Sequence, residues 1–403
     1  MIDQLLPFLM LGIFLAAALS NPLARQHWVS LPAALVLLGF ISSEIWVGMG
    51  RDTGLRWQIL RDLVFYLLLP VLVFEAAVNI HVKALRREVV LITALSIPLL
   101  LLAVLVAAGV IHLLMAESLG QSFALALLIG AMVSATDPTS LPSFLTGKSS
   151  RIANILEGEG LANDATSITL FVMLSAMLLM PDYEISAQVV VGKFALTLFG
   201  AAMIGFVLGW LFDRIVRPLN DNILTGSATL VLAFASFWLG EHLLGVSGVV
   251  TTLAAGLTFI LFQRRHRSEA DVKFARDSWQ LLGFCSHAML FFLVGMSITV
   301  DMFRDHWLAM LIGIAAALIS RLTIVFMGAG PLSWLPGQTS LSFKDQNVLA
   351  WGGTRGAVAI ALALSLSTDI PHWYTIQSAV YGVALFSLLI QTPLLGAIFN
   401  DRN

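Results

Sequence analysis

Ser134-Ala135-Thr136-Asp137-Pro138-Thr139-Ser140 sets an acid, a proline and several hydroxyls inside an otherwise apolar run, residues 121–147. Proline has no N–H to give to a helix, and its ring clashes with the preceding turn. The residue before it, here Asp137, is pushed toward extended geometry. Pro142 repeats the break four residues on. The run should therefore be helical at its ends and unwound in the middle. In a bilayer, the backbone groups freed at such a break are tolerated only inside protein or around a watery cavity. An acid and hydroxyls at the same break make it a candidate site rather than a plain kink.

The rest of the chain supports a membrane setting. Of 403 residues, 58% are hydrophobic and 11% charged. Soluble domains hold about 45–50% and about 25%. Mean hydropathy is +0.90. At a net charge of -2 nothing suggests a nucleic-acid partner, and the single Cys285 allows neither an internal disulfide nor a cysteine metal cluster. Met1 to Ser20 is apolar without a basic leading segment, so it reads as a first spanning helix and not a cleaved signal.

A span needs about 20 mostly apolar residues. Thirteen such segments fit, at about 4–20, 28–49, 57–80, 89–115, 121–147, 152–180, 189–212, 222–240, 246–262, 279–300, 307–329, 346–368 and 373–398. The expected fold is an all-α polytopic membrane protein joined by short loops, the longest at 263–278 and 330–345. With the N-terminus outside, inside loops hold 15 of the 22 Lys and Arg and outside flanks hold five. That bias favours N-outside and C-inside, as an odd number of spans requires.

Two further constellations lie at membrane depth. The first is Glu157-Gly158-Glu159-Gly160-Leu161-Ala162-Asn163-Asp164. On a helix Glu159 and Asn163 share a face, and the small residues between them admit a close neighbour. The second is Trp351-Gly352-Gly353-Thr354-Arg355-Gly356-Ala357, which should break the 346–368 span. A buried Arg355 needs an anionic partner, and Glu159 is the expected one. Arg321, inside 307–329, reads as a structural ion-pair residue. Intramembrane ionisable residues are costly and usually functional, which also singles out Glu75. Spans five and twelve are seven apart and so run in opposite directions. Paired broken helices in inverted repeats point to a transporter site at the midplane. There Asp137 can offset exposed helix N-termini and Arg355 the C-termini.

These stretches resemble the NhaP/NHE-type sodium/proton antiporter family. The matching segments are S-A-T-D-P-T-S at 134–140, E-G-E-G-L-A-N-D-A at 157–165 and W-G-G-T-R-G-A-V-A at 351–359, with L-P-V-L-V-F-E-A-A at 69–77 as a fourth. The resemblance covers nearly the whole chain. It implies a homodimer in lipid with no cofactor, while compactness and short loops point to a bacterial or archaeal inner membrane by type. It implies a transport domain of residues 89–180 and 307–398, moving like an elevator beside a dimerisation domain of 1–80 and 222–300, with 189–212 linking them. Asp164 becomes the cation- and proton-binding carboxylate. Asp137 and Thr136 line the crossing and help ligate the monovalent cation, while Asn163, Glu159 and Arg355 form a polar brace. Glu75 and Glu157 are accessory. The Asn163-Asp164 pair, in place of two consecutive Asp, goes with electroneutral exchange. One departure stands out: Gly160 occupies a position where the family usually has a Ser hydroxyl.

The residues also suggest a mechanism. Desolvation penalises a charged carboxylate, and either a proton or a bound cation relieves that penalty. Competition between the two for one carboxylate suffices for exchange, provided the empty charged site does not cross. The expected cargo is Na+ or Li+ against H+. Because Gly160 offers no side-chain oxygen, a K+/H+ antiporter on the same scaffold is the alternative. A cation channel is a weaker one, since channels commonly repeat one filter about an axis and these two breaks differ in chemistry.

Overall fold

The computed structural model describes residues 2–24, 30–51, 57–80, 82–137, 151–179, 187–218, 221–264, 266, 268–334 and 339–395. Pro138, Thr139, Ser140, Pro142 and the second half of span five lie outside the described residues. All the described regular structure is helical: α1 Ile2–Ala24, α2 Leu31–Gly48, α3 Trp57–Leu63, α4 Leu69–Asn79, α5 Val82–Ser96, α6 Pro98–Met115, α7 Phe123–Ser134, α8 Arg151–Leu178, α9 Ala187–Val216 and α10 Asn222–Trp238. There follow α11 Gly248–Gln263, α12 Glu269–Ser297, α13 Val300–Asp305, α14 Trp307–Thr323, α15 Phe343–Gly352, α16 Ala357–Leu364 and α17 Trp373–Phe386. A π-helical turn at Val64–Leu68 makes α3 and α4 one rod. Among the described residues nine helices are long and apolar enough to cross a membrane, and shorter apolar helices at Leu6–Asn21, Phe123–Ser134 and Gly248–Gln263 accompany them. The protein is a multi-pass membrane protein, and about thirteen spans fit it.

Local chemistry explains the helix starts. Ser30 and Ser122 each accept a hydrogen bond from the backbone N–H three residues on, satisfying a donor that the helix leaves orphaned. Ser342 and Asp345 form a reciprocal capping box that opens α15. Pro98 ends α5, since Ile97 before it is non-helical at φ -120 and ψ -79. The expected span 89–115 is thus kinked at Pro98 but remains one apolar span, Arg87–Met115.

The tenth span starts earlier than expected. The sequence placed a loop at 263–278, yet α12 begins at Glu269. Ser268 and Asp271 exchange N–H to side-chain bonds of 3.3 and 3.2 Å and start the helix early. The charges of its first turns, from Asp271 to Asp277, mark where the chain leaves apolar surroundings, not where the helix ends.

Packing divides the chain into two units. The first comprises 1–61, 81–179 and 288–403, and the second 62–80 and 180–287. In the first, α8 packs on α5 and α7, and α14 packs on α6 and α17. A core of Leu91, Leu95, Ile155, Leu156, Val325 and Leu349 holds α5, α8 and α15 together. In the second, α11 packs on α4, α9 and α10. There Phe74 lies 4.4 Å from Trp279, centroid to centroid, and the Trp279 indole donates to Thr229 at 2.9 Å.

Candidate functional site

The site lies in the first unit, where the end of α7 meets the interruption between α15 and α16. α7 stops at Ser134, Ala135 is extended, and residues 136–137 are non-helical. α15 stops at Gly352, residues 353–356 are irregular, and α16 resumes at Ala357. The breaks pair with each other: Asp137 N–H donates to the Thr354 carbonyl at 2.8 Å, and the Thr354 hydroxyl donates to the Asp137 carbonyl at 2.8 Å. Backbone groups freed by each break are thus partly satisfied by the other.

Helix ends account for the charged groups. The Asp137 carboxylate accepts from the Ala357 N–H at 2.6 Å, at the positive end of α16. At the negative end of α7, Arg355 Nε donates to the Val133 carbonyl at 2.6 Å, and Asn163 donates to the Ser134 carbonyl at 3.3 Å. The same Asn163 amide donates to the Thr136 hydroxyl at 3.2 Å, and its oxygen accepts from Ser167 at 3.3 Å. Thr136, Asp137, Asn163 and Arg355 therefore converge as the sequence anticipated.

Asp164 follows Asn163 on α8. It lies within electrostatic range of Asp137. Its Oδ1 is buried and has no hydrogen-bond partner among the described residues. Gly160 is buried on the same helix, one turn earlier, and Glu157 is half-buried. Among the described residues no three His, Cys, Asp or Glu side chains gather as a metal cage.

One expected pairing is different. Glu159, 0% exposed, is bound in a two-pronged ion pair by Arg321, 2% exposed, and Arg321 also donates to the Leu349 carbonyl at 2.8 Å. Arg355, the expected partner of Glu159, instead places its guanidinium on the carbonyls of Val133, Gly353 and Ala317. The reason is helix-end electrostatics: orphan carbonyls at the breaks attract the nearer cation, and Arg321 from α14 is left for the carboxylate.

Two residues at the site carried no sequence signal. Ser387 accepts from the Arg355 N–H at 3.0 Å and donates to Gln391 at 2.7 Å, and Gln391 donates to the Trp351 carbonyl at 2.8 Å. Both belong to the π-helical turn Ser387–Gln391 that follows α17. Single polar residues in an apolar span look like tolerated packing. Only a marked π turn, common at functional positions, could have pointed to them, and it is not visible in sequence.

Gly356 faces the Asp137 side chain. A Cβ added there would stand 2.8 Å from both Asp137 Cβ and Cγ. Gly356→Ala should therefore push the carboxylate off the α16 N-terminus. The expected result is at least about a tenfold loss of site function in a protein that still inserts, since a hydrogen bond to a charged group is worth about 1.5–3 kcal/mol. Ion-driven flux in liposomes, with insertion checked by gel filtration, would test this; unchanged flux would remove Asp137 from the site.

A helix break paired with the end of another helix, with the buried Asp137 carboxylate at their junction, defines a class, that of multi-pass membrane proteins with charged groups held among their helices. The chain belongs to the transmembrane sodium/hydrogen exchanger family, whose profile matches residues 10–401. It is 32% identical over 338 residues to the Na(+)/H(+) antiporter ApNhaP of Aphanothece halophytica, covering 82% of this chain and 63% of that protein. It is 28% identical over 366 residues to the Na(+)/H(+) antiporter NhaH of Halobacillus aidingensis, covering 89% and 88%. The chain thus spans less than two thirds of the length of ApNhaP. Its fold matches the sodium proton antiporter MjNhaP1 of Methanocaldococcus jannaschii at pH 8, with a TM-score of 0.82, 19% identity and 99% of both chains covered.

Proposed function

We propose that the protein is a secondary transporter exchanging Na+ or Li+ for H+ at Asp164. The observation that carries this reading is the buried Asp164 Oδ1, which has no hydrogen-bond partner among the described residues and lies within electrostatic range of Asp137, where the end of α7 meets the break between α15 and α16. A carboxylate oxygen in that setting is stabilised by a proton or by a hard cation, and one occupant excludes the other. The names of ApNhaP and NhaH support the same cargo.

The neighbour Asn163 is neutral and spent on Thr136, Ser134 and Ser167. One titrating carboxylate then takes one cation against one proton, which makes exchange electroneutral. Asp137 and Thr136 supply further oxygen to the cation; the Thr136 hydroxyl sits 3.2 Å from the Asn163 amide that precedes Asp164. Gly160 brings none, which favours K+/H+ exchange as the second reading.

Alternating access is of the elevator type, with 89–180 and 307–398 as the moving part and 1–80 and 222–300 as the dimerisation part of a homodimer. In support, 89–179 and 307–395 pack within one unit; residues 1–61 pack in that unit as well. The protein sits in an inner membrane with its N-terminus outside and its C-terminus cytoplasmic, as the Lys and Arg bias favours.

The test uses purified protein in liposomes with an internal pH dye and an acid interior. Na+, Li+ and K+ are added in turn, with valinomycin present and K+ matched so that voltage cannot build. Alkalinisation with Na+ or Li+ is the expected result. A response to K+ alone would replace the cargo, and none with any cation would overturn antiport.

A further inference from the structure

Two buried side-chain oxygens at the site have no hydrogen-bond partner among the described residues: Asp164 Oδ1 on α8 and Ser134 Oγ on the last residue of α7. Ser134 is 3% exposed. Asn163, next to Asp164 in the chain, joins the two helix segments by donating to the Ser134 carbonyl at 3.3 Å. The same amide donates to the Thr136 hydroxyl at 3.2 Å. Both its N–H groups are thereby spent, and none is left for the Ser134 hydroxyl.

Other buried serines of the same packing unit satisfy themselves by bonding back to their own helix. The hydroxyls of Ser320, Ser365 and Ser378 donate to carbonyls three or four residues earlier, at 3.1, 2.9 and 2.7 Å. Ser134 has the Gly130 and Ala131 carbonyls one turn back on α7 and bonds to neither. Its side chain is turned away from its own helix, with its lone pairs uncommitted. A buried hydroxyl left so is uncommon and costly, and a bound ligand that meets the oxygen removes the cost. Beside the carboxylates of Asp137 and Asp164, an uncommitted oxygen suits a hard cation.

We propose that the Ser134 hydroxyl is a ligand of the transported cation, the side-chain oxygen that α7 contributes alongside Asp164. The inference rests on the antiport reading above. On α8, Gly160 supplies no oxygen one turn before Asp164, so the hydroxyl from α7 carries more of the coordination. Hard cations take several oxygen ligands, whereas a proton needs only the carboxylate. Ser134 therefore sets the affinity for the cation and leaves the proton alone.

The test measures the half-saturating Na+ concentration and the maximal rate of proton efflux in liposomes, and the melting temperature in detergent with and without Na+. It uses wild type, Ser134→Ala and Ser134→Cys. Ser134→Ala should raise half-saturation about tenfold, the scale of one lost bond to a charged species, and leave the maximal rate nearly unchanged. Without Na+ it should melt no lower than wild type, because it removes a hydroxyl that has no partner. Added Na+ should raise its melting temperature less than it raises that of the wild type, since a weaker ligand stabilises less. Ser134→Cys keeps the volume and offers a soft sulfur in place of the oxygen, and the same rise in half-saturation is expected. A serine kept for structure alone would lower the melting temperature without Na+ and leave half-saturation unchanged. Normal wild-type exchange with unchanged half-saturation in Ser134→Ala, or in Ser134→Cys if the first variant fails to fold, overturns this inference alone. A wild type that moves no protons with any cation overturns the antiport reading and this inference with it.

Discussion

Replacing Asp164 by Asn is expected to abolish cation-driven proton movement while leaving the protein folded. Asn matches Asp in shape, and α8 around it is unchanged. It cannot exchange a proton at neutral pH or balance a cation's charge. The drop should be at least about a hundredfold, equivalent to about 2.7 kcal/mol on the barrier, and it should be seen in the pH-dye liposome assay with an unaltered gel-filtration profile. Competition adds a second signature. On the acid side, half-saturating Na+ in the wild type should rise about tenfold per pH unit, because one proton displaces one cation. Exchange in Asp164→Asn at wild-type rate would sink the site.

The second large effect concerns stability. Arg321→Ala should destabilise the protein severely, because it strands the Glu159 carboxylate, 0% exposed, without its partner. Breaking a buried pair on one side costs about 3–5 kcal/mol, whereas replacing both members by apolar groups is often neutral. The double variant Glu159→Leu with Arg321→Met should therefore melt well above Arg321→Ala. Arg355→Ala should be milder. It leaves the Val133 and Gly353 carbonyls without their side-chain donor, at about 1–3 kcal/mol per stranded group, but breaks no hydrogen-bonded ion pair. Melting curves in detergent rank the three variants. If Arg355→Ala proved the worst, the pairing of Glu159 with Arg321 would be wrong.

That ranking is where sequence and structure part. Both arginines were visible as charges at membrane depth, and Glu159 as a carboxylate needing one of them. Sequence distance favoured neither. The choice turned on which cation lay nearer the freed carbonyls of α7, a three-dimensional matter. Ser387 and Gln391 stayed hidden for a related reason: a lone hydroxyl or amide in an apolar span has no pattern until its partner is known. Glu75 likewise gave no sign of its surroundings: it sits on α4 in the second unit, where Asn79 donates to it.

By itself the sequence determined the membrane class, the approximate spans, the end of α7 before Asp137, the break between α15 and α16, and the acid at the first of these. Those properties are local. Hydropathy over twenty residues, proline's missing N–H and the cost of charge in lipid act within a few turns of chain. Tertiary structure alone decided which helix end satisfies which break, which arginine holds Glu159, and which unit holds Glu75. Those depend on contacts between residues as far apart in the chain as Asp137 and Thr354, and in a bilayer, where water cannot make up a missing hydrogen bond, such contacts determine where each polar group rests.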